Sequence, residues 1–62
     1  MRTYWFEIVG EDSDICGEEF FVEKENRQSA IEYANELFPG EEIECWGTVN
    51  EFQAEMMGLD TY

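Results

Sequence analysis

Histidine is absent from this 62-residue chain, and only Arg2, Lys24 and Arg27 are basic against sixteen Asp and Glu, a formal charge of −13. Without histidine there is no side chain whose ordinary titration falls near neutral pH, and general acid–base chemistry loses its commonest agent. The chain also lacks a nucleophile elbow, a glycine-rich phosphate loop and any paired Cys/His metal motif. That inventory predicts a protein that is not an enzyme and carries no cofactor or metal. Scarce Lys and Arg exclude direct binding to nucleic acid or to an anionic membrane surface, because both need cations to displace counterions from phosphate. No stretch approaches the roughly 18 apolar residues of a membrane span, and the first residues lack the basic-then-apolar pattern of a secretory signal. The expected location is cytoplasmic. Cysteine occurs twice, at Cys16 and Cys45, which rules out a multi-disulfide framework and a CxxC site. In a reducing compartment both are expected as free thiols, and the negative field opposes thiolate formation at either.

What the chain does have is apolar material. It is 44% hydrophobic with ten aromatics, two Trp, three Tyr and five Phe, which is too rich for a disordered acidic tail. Residues 1–62 are expected to form one domain with a small core, since a chain this short buries only about 60% of its unfolded surface.

Thr-Tyr-Trp-Phe-Glu-Ile-Val at 3–9 reads as a strand, and Gly10 with the polar run 11–14 as a turn. Residues 18–25 read as the second strand of a hairpin. Asn26 is a plausible N-cap for a helix over 27–38, whose stripe holds Ala30, Ile31, Ala34, Leu37 and Phe38, with Pro39-Gly40 stopping it. Residues 43–49 read as a third strand. After it Thr48-Val-Asn-Glu51 has the form of a capping box, opening a short helix over 51–57 that Gly58 closes. The expected fold class is α+β, a ββαβ arrangement with a three-stranded antiparallel or mixed sheet in order 2-1-3, one helix packed on one face and a short C-terminal helix or tail.

Alternation divides the sheet into two faces. Tyr4, Phe6, Ile8, Phe20, Val22, Ile43, Cys45 and Val49 are the set expected to meet the helix. The opposite face receives Trp5, Glu7, Glu19, Phe21, Glu23, Glu42, Glu44 and Trp46, mixing three large rings with five carboxylates. Interface centres are enriched in aromatics, and monomers seldom leave large apolar rings bare, so these eight residues are the candidate partner-binding site. Two arrangements of the last segment remain open: Phe52, Met56, Met57, Leu59 and Tyr62 fold back over the rings, or they leave them bare. Five glutamates argue against full coverage, because buried unpaired carboxylates are costly, and favour a partly covered face with an acidic rim.

Asp12-x-Asp14-x-Cys16-Gly17, followed by Glu23, falls on the spacing of a calcium-binding EF-hand loop. Cys16 stands where a hard oxygen is required, and the flanks read as strands where the motif joins two helices. An acidic hairpin turn without a metal is the expectation.

A compact chain of this length has a radius of gyration of about 10.6 Å and a diameter of roughly 27 Å. The same span of duplex DNA carries about 16 charges, close to the formal 13 of this chain. The domain is therefore similar in size and charge to nucleic-acid mimics that occupy the channels of restriction, CRISPR or repair proteins. That reading makes a basic, nucleic-acid-binding protein the partner. The competing reading is an adaptor or homodimer pairing through the aromatic face or a strand edge, with charge serving solubility. The run Phe20-Phe21-Val22-Glu23 followed by Ser29-Ala30-Ile31-Glu32-Tyr33-Ala34 also resembles the strand-then-helix element of small phage and conjugative-element proteins of the DpnD and PcfM type. The resemblance spans residues 2 to 44, implies an origin in a mobile element, and transfers no functional residue.

Overall fold

The computed structural model describes all 62 residues. Strands β1 (Arg2–Ile8) and β2 (Glu19–Lys24), helix α1 (Arg27–Leu37), strand β3 (Ile43–Val49) and helix α2 (Glu51–Met57) follow in that order. The sheet order is β2-β1-β3, and β1 is antiparallel to both neighbours. The expected ββαβ architecture and strand order are therefore those of the molecule. β2 and β3 run in the same direction on opposite sides of β1, which is why a helix-length crossover separates them.

α1 begins at Asn26, whose side-chain oxygen accepts from the Ser29 amide at 2.9 Å. This satisfies one of the helix's orphan donors. Ala30 and Ala34 are fully buried against the sheet, where Tyr4, Phe6, Ile8, Phe20 and Val22 complete the core. Two alanines at i and i+4 leave no side chain to hold the helix off the strands, so the large residues of the core come from the sheet. Phe20 stacks on Phe6 at 5.5 Å between centroids and meets Phe38 at 4.8 Å. Tyr33, Leu37, Ile43 and Cys45 border this cluster. The Lys24 ammonium sits 4.2 Å from the centre of the Tyr33 ring, a cation–π contact at the border of the core.

β3 departs from simple alternation. Phe6 pairs with Cys45 but Trp5 pairs with Gly47, so Trp46 is an extra residue. Gly47 has φ of 128°, a conformation that L side chains rarely adopt. This bulge inverts the faces of everything beyond it. Val49, expected in the core, pairs with Thr3 on the far side from α1 and does not belong to the core cluster. Thr48 lies opposite Tyr4, exposed, at the margin of the helix-covered face.

The cap of α2 also differs from expectation. Asn50, two residues beyond Thr48, is the N-cap: its side chain accepts from the Gln53 amide at 2.8 Å, and Gln53 Oε1 accepts from the Asn50 amide at 3.0 Å. Thr48 is held in the strand by its pairing with Tyr4, so the reciprocal pair forms at the first residues past the strand end. Gly58, left-handed at φ 64°, ends the helix. The chain then returns to the sheet. The Phe21 amide donates to Asp60 O at 2.8 Å, Tyr62 N–H to Phe21 O at 2.8 Å, and Glu23 N–H to Tyr62 O at 3.2 Å. Residues 60–62 thus run parallel to β2 along its outer edge. The Tyr62 ring lies edge-on to Phe20 and Phe38.

Candidate protein-binding face

The sheet face away from α1 is organised in rows that cross the strands. Glu7 pairs with Glu19 on β2 and with Glu44 on β3, so three glutamates lie directly opposite one another. With strands about 4.8 Å apart, three carboxylates project within roughly 10 Å. The next row is aromatic: Phe21 pairs with Trp5, and Trp46 stands at the bulge beside it, 6.2 Å from Trp5 between ring centroids with planes tilted by 45°. Glu23 follows, opposite Thr3. Each tryptophan is tied to the glutamate row. The Trp5 indole N–H donates to Glu19 at 2.9 Å, and that of Trp46 donates to Glu7 at 3.0 Å.

Coverage of this face is uneven. Phe21 is 1% exposed and lies outside the core under α1. Its backbone is bonded to Asp60 and Tyr62 of the last segment, and it lines a pocket together with Ala54, Gly58, Leu59 and Thr61. Trp5 is half-buried, and Trp46 remains 53% exposed. The folded-back segment therefore covers one ring of the three, and an acidic border surrounds the two tryptophans. Glu42, one residue before β3, is exposed beside Gly10 at the strand ends. The eight expected residues thus divide: Trp5, Glu7, Glu19, Glu44 and Trp46 form one continuous patch, Glu23 and Glu42 lie at its borders, and Phe21 is packed away. Among the exposed apolar residues outside that set, Phe52 and Met56 lie one turn apart on α2. Their spacing is visible in the sequence, but it equally suited burial against the sheet. In comparisons with known protein families, curated proteins and solved structures, nothing matches this chain.

Like charges placed directly opposite each other in a sheet oppose folding. None of the sixteen acidic residues is buried as a whole, although Glu41 Oε2 is shielded from water without a hydrogen-bond partner. The two indole donors ease the glutamate row but bring no positive charge. Glu7→Gln is expected to raise stability by about 0.5 kcal/mol, because it removes the central charge of the row while its amide oxygen still accepts from Trp46. Urea denaturation measures this. A lower midpoint would mean that the carboxylate strengthens the indole bond by more than it repels its neighbours.

The hairpin turn forms no metal cage. Nowhere do three His, Cys, Asp or Glu side chains converge in a way that could hold a metal ion, and Asp12, Asp14 and Glu23 are all exposed. Cys16 and Cys45 are both free thiols. No helix is long and apolar enough to cross a membrane.

Proposed function

We propose that the domain is an acidic protein-binding module that occupies the basic groove of a nucleic-acid-binding protein. The observation that carries this reading is the Glu19-Glu7-Glu44 row flanked by two solvent-reaching tryptophans on the face α1 leaves free. A carboxylate row that works against folding is accounted for by a cationic partner that neutralises it. The indoles add apolar area and ring faces that attract Lys and Arg. Dimensions agree with the mimic reading. The longest axis is 32 Å, a length of duplex that carries about 19 phosphates, against sixteen acidic side chains here. An origin in a phage or conjugative element, implied by the DpnD and PcfM resemblance, fits a protein of this kind.

Binding of this type should weaken steeply between about 50 and 200 mM salt, as contacts to phosphate do. The experiment is capture of a partner at low salt, followed by measurement of its affinity across that range and of its release by a duplex oligonucleotide. Trp5 and Trp46 fluorescence should change on binding. Affinity that holds or rises with salt, with no displacement by duplex, would favour pairing through the aromatic surface instead. That second reading draws on the exposure of Trp46, Phe52 and Met56 at 53%, 72% and 74%, with the adaptor or homodimer gaining from screening of its own charge.

A further inference from the structure

The two edges of the sheet are not equivalent. On the β2 side residues 60–62 already supply backbone partners. On the other side β3 pairs only with β1. The Val9 amide donates to Glu42 O at 2.9 Å, which sets the phase of the antiparallel ladder. Glu42 and Glu44 direct their backbone groups toward β1, and the N–H and C=O of Ile43 and Cys45 point outward. Beyond the bulge the same holds for Thr48, which pairs with Tyr4.

Open edges are normally guarded by lysine, proline, bulges or inward charge. Here the guards are the bulge at Trp46 and the charge of Glu44, with neither Lys nor Pro in the strand. A guard of one sign selects by charge: it repels acidic strands and attracts basic ones. It also acts against a second copy of this chain. Two copies would bring −13 twice, −26 in all, with Glu42 and Glu44 of both around one short edge.

We infer that the outer edge of β3 accepts an extended cationic segment of the partner as an added strand, bonded to the backbone of Ile43 and Cys45. This rests on the reading of the helix-free face as the docking surface for a basic protein, and it names how part of that protein is held. Alternate residues of the added strand fall beside Glu44 and Trp46, where Lys or Arg meets a carboxylate and an exposed indole ring. The intervening residues lie next to half-buried Ile43 and Cys45, where apolar side chains fit. Backbone bonding supplies affinity and alternation supplies selectivity, as in other strand-addition complexes.

The test uses a capped heptapeptide of alternating Lys and Val and two isomers of it, N-methylated either at every Val or at every Lys. Alternate amides of a strand point to opposite sides, so one isomer is blocked on its β3-facing edge and the other is not. The parent peptide is expected to bind and to slow amide exchange at Ile43, Cys45 and Thr48. One isomer should lose about tenfold or more in affinity and the other should bind like the parent. Loss with methylated Val reports antiparallel addition, and loss with methylated Lys reports parallel addition. The exposed-site variant Glu44→Lys should weaken the parent peptide while leaving the fold intact. Equal binding by both isomers, or a parent peptide that does not bind, overturns the inference. If a groove-bearing protein then still binds with salt-sensitive affinity and unchanged exchange along β3, the proposed function stands without strand addition. If the peptide adds as a strand but no such protein is displaced by duplex, the edge is confirmed and the mimic reading fails.

Discussion

Replacing Phe6 with alanine is expected to remove about half or more of the domain's stability. Phe6 is 1% exposed, sits on the central strand and stacks on Phe20 at 5.5 Å. Truncating a buried phenylalanine costs about 3–5 kcal/mol, the transfer of the ring plus the void it leaves. A 62-residue chain at typical stability per residue has only about 3–9 kcal/mol in total. The loss therefore takes a large share of what holds the domain together, and neither Ala30 nor Ala34, both fully buried, can lengthen to fill the void. Urea midpoints should fall to about half or less of the parent's. Trp46→Ala makes the comparison, because that ring is more than half exposed and its removal should cost about 1 kcal/mol or less. A Phe6→Ala protein that melts within a few degrees of the parent would show that the core does not centre on β1.

Tyr62→Pro is expected to release the strand formed by residues 60–62 and to lower stability by about 2–3 kcal/mol, the value of returning a buried phenylalanine to water. The substitution removes the amide that donates to Phe21 O at 2.8 Å. It also removes the ring that lies edge-on to Phe20 and Phe38. Phe21 is bonded to that segment through its backbone, and its side chain lies outside the core under α1. Amide exchange at Phe21 and Glu23 should quicken, and the opened β2 edge should promote concentration-dependent association. Tyr62→Ala keeps the amide and separates the ring from the backbone bond. Unchanged exchange at Phe21 in the proline variant would show that the last residues do not hold the edge.

Strand and helix bounds were legible almost to the residue where hydrophobic period and punctuation agree. Asn26 caps α1, Pro39-Gly40 follows its end, and Gly58 closes α2, each as side-chain chemistry predicts. Alternation also placed Trp5, Glu7, Glu19 and Glu44 on one face, because β1 and β2 pair without interruption and β3 keeps its register with β1 up to the bulge. The capping-box pattern before α2 points two residues early, to Thr48 in place of Asn50, and two larger features leave weaker signals. The bulge moves Val49 out of the core, and its one sequence signal was Gly47 inside a strand, a residue that often marks such a defect. Asp60-Thr61-Tyr62 has no strand pattern of its own. It pairs because β2 offers an unfilled edge and Phe20 and Phe38 offer a place for the Tyr62 ring, and such long-range causes leave no local trace.

Occupying the outer side of β2 with the molecule's own last residues leaves the sheet with two edges of very different length. A sheet with two available sides can be extended without end, copy upon copy, into a fibre. Here one edge is the seven-residue β3 and the other a single bridge at Thr61, which offers a neighbour far less backbone to pair with. Even at concentrations or salt levels that silence its charge, backbone pairing between intact molecules is favoured at β3 and weak on the opposite side, which works against growth into a fibre.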